Sequence, residues 1–185
     1  MIEEKKLQRR VVGHHDIRMD GLTDLVVRGR DASVLDIGCN RGMVGFEFAN
    51  NGATLIHGCD NYEPGIVFAR ELFIDLRNVK SRFEVVDLNG GGRGLAEAFG
   101  DDYPAQYDIV LMLATYHKIK RQMKPDALRD LMLHFAGKTG KYFAFRGRIE
   151  EMKELDAIFG KALRRIHTSH LSRTMEAAAA IWARD

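Results

Sequence analysis

Apolar residues along the chain keep two alternating rhythms. Short apolar runs of strand length lie at residues 34–37, 54–60, 82–88, 107–114 and 141–145. Between them the spacing lengthens to that of a helix face: Val44, Phe46 and Phe48; Ile66, Ala69, Phe73 and Leu76; Leu128, Leu131, Met132 and Phe135; Ile149, Met152, Leu155, Ile158 and Phe159. A short helical piece at 95–99 stands between the third and fourth runs. Strand alternating with helix predicts βαβ units and hence a parallel sheet. The run at 107–114 has almost no polar position, which predicts a central strand buried on both faces.

The punctuation agrees with these elements. Asn51-Gly52, Gly137 and Gly160 stand where helices should stop, and Pro64 and Pro125 where they should start. Asn89-Gly90-Gly91-Gly92 reads as a mobile turn, and residues 115–121 as a polar, basic and aromatic loop. Residues 163–170 and 177–183 read as two final strands joined by a polar turn. The alanines of the last run favour helix by propensity, but their position after a complete alternating series decides for a strand. Upstream, Leu22, Leu25 and Val26 are spaced as on a helix, so a lead-in helix is expected before the first strand.

With 185 residues, the chain is expected to form one domain, with 1–30 as a lead-in segment and 31–185 as the core. A formal net charge of +2 with mixed signs does not announce a nucleic-acid binder. The charged start and the absence of a long apolar run predict a soluble, cytoplasmic protein. Cys39 and Cys59 are the two cysteines, without C-x-x-C spacing, so no disulfide framework or zinc site is suggested and no metal is expected.

The candidate chemistry gathers at the strand ends. The first strand runs into Asp36-Ile37-Gly38-Cys39-Asn40-Arg41-Gly42, where Gly38 and Gly42 allow positive φ and close backbone approach. A helix beginning there would aim its N–H groups at a nucleotide-like ligand, although such turns also close ordinary α/β units. The second strand ends in Asp60, about 20 residues on, the distance at which a carboxylate meets ribose hydroxyls. The third ends in Asp87, which could accept from an exocyclic adenine amine with Leu88 against the ring, or merely open the glycine turn. Beyond the fourth strand and its Leu113 come Tyr116 and His117, the best-placed reactive side chains, with His117 either a general base or an exposed imidazole. Arg146 and Arg148 follow the fifth strand and could hold a substrate carboxylate or phosphate, or be solvated caps. His14, His15 and Arg18 of the lead-in segment could line a substrate entrance.

These motifs, DIGCNRG, GCD, EVVDL and YDIVLMLATYHK, resemble the class I S-adenosylmethionine-dependent methyltransferases, from about Ala32 to the end. The resemblance implies an α/β, doubly wound, mostly parallel seven-stranded sheet with helices on both faces and the last strand antiparallel. It implies S-adenosylmethionine as cofactor, with Asp36, Gly38 and Cys39 along its methionine part, Asp60 on the ribose, Asn61 near the adenine edge and Asp87 on the adenine. Asn40 replaces the middle glycine of the family's turn and must tolerate the same tight backbone. Gly42 and Leu113 are counted with the cofactor's residues. The Tyr-His pair after the fourth strand is similar to enzymes that alkylate the wobble uridine of transfer RNA, and the small core resembles methyltransferases of small metabolites. The acceptor, small molecule or RNA, is therefore left undecided, with the basic residues Lys118, Lys120, Arg121 and Lys124 as possible phosphate contacts. Motifs for adenine or amide N-methylation and for cytosine C5 chemistry are absent. Two rivals stand beside a methyltransferase: a catalytically silent partner subunit of the same fold, and an NAD-dependent oxidoreductase, whose G-x-G-x-x-G fingerprint is not matched here.

Overall fold

The computed structural model describes residues 19–170 and 177–185; the predicted entrance residues His14, His15 and Arg18 lie outside them. The elements alternate as the apolar rhythm requires. They are α1 (Thr23–Arg28), β1 (Ser33–Ile37), α2 (Met43–Asn50), β2 (Leu55–Asp60), α3 (Glu63–Phe73), β3 (Lys80–Val85) and α4 (Arg93–Phe99). Then follow β4 (Tyr107–Leu113), α5 (Tyr116–Lys120), α6 (Pro125–Lys138), β5 (Thr139–Gly147), α7 (Ile149–Phe159), β6 (Arg164–Thr168) and β7 (Ala178–Ala183).

All seven strands join one sheet in the order β3-β2-β1-β4-β5-β7-β6. The first five are parallel, and β7 runs antiparallel to both β5 and β6. Because successive strand residues face opposite sides, Leu35, Val110, Met112, Phe143 and Phe145 pack with α4, α6 and α7 in one cluster. Val34, Ile109, Leu111 and Ala144 pack with α1, α2 and α3 in the other. Leu22 and Leu25 of the lead-in helix are wholly buried there, which makes α1 part of the second layer. Trp182 on β7 is buried among Phe143, Phe145 and Phe159 and donates Nε1–H to Asp156 at 2.8 Å. β7 lies between β5 and β6 and pairs with both, so strand pairing overrides the helix propensity of its alanines.

One expectation needs correction. Residues 116–120 form the one-turn helix α5, not a loop, with Tyr116 and Ile119 buried one turn apart. Asp87 opens the glycine turn, as one of its two sequence readings has it, capping a short 3-10 turn, Leu88–Gly90, by accepting from Asn89 N–H at 3.0 Å. Among the described residues no helix is long and apolar enough to cross a membrane.

Candidate cofactor cleft and acceptor pocket

The carboxyl ends of β1, β2, β3, β4 and β5 bring the candidate residues to one edge of the sheet. Reversal of strand order between β1 and β4 opens a crevice there, where ligands of open α/β sheets bind. In the turn after β1, Gly38, Asn40 and Gly42 all have positive φ, at 74°, 50° and 70°. Asparagine is among the few side chains that adopt this conformation readily, which accounts for its use in place of a glycine. The N–H groups of Gly38 and Cys39 both donate to the Cys59 carbonyl, at 2.8 and 3.0 Å, fixing the turn against β2. A Cβ on Gly38 would lie 2.0 Å from Thr115 Oγ1. The turns after β1 and β4 therefore touch directly, and only glycine fits.

Asp60 is held by the same construction. Its Oδ2 accepts from Asn40 N–H and its Oδ1 from Tyr62 N–H, both at 2.9 Å. Each carboxylate oxygen keeps a second acceptor site, enough to take two neighbouring hydroxyls. Asp60, Asn61, Asp87, Leu88 and His117 line one cavity of about 400 Å³. Across it Asn89 Nδ2 donates to Gln122 Oε1 at 3.1 Å, joining the segment after β3 to that after α5. Asp36, Cys39, Asn40, Leu113, Ala114 and Arg146 line a second cavity of about 260 Å³. Gly38, Asp60, Thr115 and Lys118 border both, so the two are halves of one cleft, in the size range of small-molecule sites, roughly 300–1,000 Å³. Gly42 lines neither half; it stands at the N-cap of α2, where a Cβ would meet Ala69 Cβ at 3.0 Å.

The sheet order, the antiparallel β7 and the cleft over β1 and β4 decide the architecture. The chain has the fold of the class I S-adenosylmethionine-dependent methyltransferases. No protein-family model matches the sequence, and no curated protein matches it. Solved methyltransferase structures do match in three dimensions. A magnesium protoporphyrin IX methyltransferase from Synechocystis PCC 6803, with bound S-adenosylmethionine, is 19% identical with a TM-score of 0.70 over 94% of this chain and 81% of that one. A TehB-like S-adenosylmethionine-dependent methyltransferase from Corynebacterium glutamicum is 14% identical with a TM-score of 0.62, covering 99% of this chain and 97% of the other. The N-methyltransferase NodS from Bradyrhizobium japonicum is 13% identical with a TM-score of 0.61, covering 87% and 93%.

In this methyltransferase fold a third cavity, of about 880 Å³, opens beside the cleft. It shares Ala114 and Arg146 with the Asp36 half and His117 and Arg121 with the Asp60 half. Ala114, at this junction, has a φ of 57°, unusual for a residue with a side chain, and donates its N–H to the Arg146 carbonyl at 3.0 Å. His117 is half-buried, and burial lowers its pKa from the ordinary value, with Glu151 opposing and Arg121, Lys118 and Arg148 adding to the shift. It is therefore a neutral imidazole at pH 7, able to take a proton.

Tyr116, paired with His117 in the sequence reading, faces the other way. It is 1% exposed, packs edge-on to Phe145, and donates its hydroxyl to Glu154 at 3.0 Å. It lines none of the three cavities and is a packing residue. Arg146 is also buried, at 2% exposure, and donates through Nη2 to the Asp20 carbonyl. Burial lowers its pKa, against the pull of Asp20. The thiols are inert: burial, reinforced by Asp36, pushes Cys39 far up, and burial raises Cys59 to about 12. Thr115, Val86 and Asn89 also line the cleft and carry no motif that would single them out.

Proposed function

We propose that this chain binds S-adenosylmethionine along the cleft and transfers its methyl group to an acceptor in the adjoining cavity. The observation that carries this is the Asp60 carboxylate, locked by Asn40 and Tyr62 N–H yet keeping one acceptor site per oxygen toward the cleft. A carboxylate so placed suits a ribose diol. Asp87 and Leu88 suit an adenine amine and ring face, and Asp36 the methionine end. Bound there, the cofactor would supply an electrophilic methyl group with a good leaving group, ready for in-line displacement.

The chain's own part is then orientation and proton removal. The Gly38–Thr115 contact and the Ala114 turn fix the wall between cleft and acceptor cavity, holding the acceptor atom in line with the methyl. Such positioning is worth about 7–11 kcal/mol in well-oriented reactions. His117, on the border of both spaces, accepts the proton of a hydroxyl or amine acceptor and adds roughly 10²–10⁴-fold. Incubation with methyl-labelled S-adenosylmethionine and a mixture of small polar metabolites tests this. Appearance of S-adenosylhomocysteine and labelled product, lost in Asp60→Ala, is expected; labelling with NAD-dependent reduction instead, or none with either, contradicts it.

A further inference from the structure

The methyl acceptor's own chemistry can be read from the 880 Å³ cavity. Among the described residues its apolar wall is limited to Ala114, Gly147 and Ala177. Among the described residues no phenylalanine, tyrosine or tryptophan lines it, so they offer no large surface for an apolar acceptor. Apart from His117 the remaining described lining is charged, and most of its acids are already committed. Glu154 pairs with Lys120 and accepts the Tyr116 hydroxyl. Glu151 accepts from Arg148 N–H at 2.8 Å, capping α7.

Two guanidinium groups are differently placed. Arg121 follows α5, lines the cavity and donates Nε–H to the His117 carbonyl at 3.1 Å, which leaves its two terminal nitrogens without a protein partner among the described residues. Arg148 stands at the N-cap of α7. Neither is ion-paired with any carboxylate among the described residues. Both line the cavity together with His117 and Glu151, and all three charged groups act electrostatically on the His117 imidazole. Glu150, exposed on the first turn of α7, is the one acid on this wall without such a commitment.

We infer that the acceptor is a small polar molecule bearing a carboxylate or phosphate, and that Arg121 and Arg148, converging from two elements on the 880 Å³ cavity, grip that oxyanion beside His117. Guanidinium groups suit the task because their forked donors match both oxyanions. The inference rests on the methyltransferase assignment for the word acceptor, and on the cavity alone for the oxyanion. A charged lining without phenylalanine, tyrosine or tryptophan among the described residues favours a metabolite over RNA.

Nuclear magnetic resonance titration of the whole protein, saturated with S-adenosylhomocysteine, with citrate in one arm and inorganic phosphate in another tests it. Saturable shifts are expected at the Arg121 and Arg148 Nε–H groups and at the His117 amide. Arg148→Gln and Arg121→Gln should each weaken binding about tenfold or more, with unfolding midpoints reporting that both variants are folded. The tighter arm tells carboxylate from phosphate. No saturation in either arm, or saturation indifferent to both variants, overturns the inference. So does a short RNA hairpin that competes with the anions and binds more tightly through the same arginines. Repeating the titration without S-adenosylhomocysteine separates the two claims: anion binding without cofactor binding leaves this pocket standing and removes the methyltransferase assignment.

Discussion

Gly38 carries the tightest constraint in the cleft. At a φ of 74°, with Thr115 Oγ1 2.0 Å from any added Cβ, Gly38→Ala must push the β1 and β4 turns apart. Affinity for S-adenosylhomocysteine should fall at least about tenfold, some 1.4 kcal/mol, and Thr115→Ala in the same chain should restore part of it; calorimetry reads both. His117 makes a different prediction. Its pKa lies below the ordinary value, so a base role gives full activity at pH 7 and a loss as pH falls through that lowered pKa. His117→Ala should remove this acid limb and roughly 10²–10⁴-fold in rate, as a pH–rate profile would show. Residues at this scale were legible where backbone conformation or spacing demands a type: glycine at Gly38, acids at Asp36, Asp60 and Asp87. Side-chain direction was not. Tyr116 and His117 are adjacent letters, but on one helical turn they point about 100° apart, one into the core and one into the cleft.

That turn matters as an element. The sequence 116–120 is rich in charge, and five residues are too few to display a helical period, so it reads as loop. In the fold, Tyr116 and Ile119 anchor it in the core, and Glu154 of α7 holds both ends through the Tyr116 hydroxyl and the Lys120 ammonium. His117 and Lys118 are thereby turned toward the cleft. Tyr116→Phe should cost about 0.5–1.5 kcal/mol of stability, the net worth of one hydrogen bond, while leaving S-adenosylhomocysteine affinity nearly unchanged. Denaturant midpoints and calorimetry check the two halves, and a large loss of binding would show that Tyr116 belongs to the site. Elements with long apolar rhythms, β1, β2, β4 and β5 with α3, α6 and α7, were legible because burial leaves few polar positions, whereas β3, an edge strand in which Phe83 is the one buried residue, runs Lys80–Val85, beginning two residues earlier than its sequence suggests. For β7 the alanines gave a contrary local signal, and only its place in the series pointed to strand.

Across the whole molecule a buried histidine ties stability to pH. His57 on β2 is 3% exposed, stacked on Phe99 at 4.6 Å and hydrogen-bonded to the Tyr107 hydroxyl at 2.7 Å. Burial lowers its pKa from 6.5 to about 4. The unfolded chain therefore takes up a proton near pH 6.5 that the folded chain refuses until near pH 4. Stability from this group is fully present above pH 6.5 and declines as pH falls toward 4, by on the order of 3 kcal/mol in all. Denaturation across that range should show the slope, and His57→Leu should flatten it while lowering stability at pH 7 by leaving Tyr107 without its partner. The global arrangement, α/β alternation with an antiparallel end, was largely visible in the order of apolar periods. The cavity beside the cleft was not, because its walls come from α5, β5 and α7, and no local pattern announces that these segments meet.

Calorimetric titration of S-adenosylhomocysteine into the wild-type chain and into Asp60→Ala, with NAD as a control, is the most direct test. One-site binding that is weakened at least about tenfold by Asp60→Ala, with no NAD signal, is the predicted result. A folded wild-type protein that binds neither S-adenosylhomocysteine nor S-adenosylmethionine, or binds them indifferently to Asp60, would contradict the assignment of the cleft.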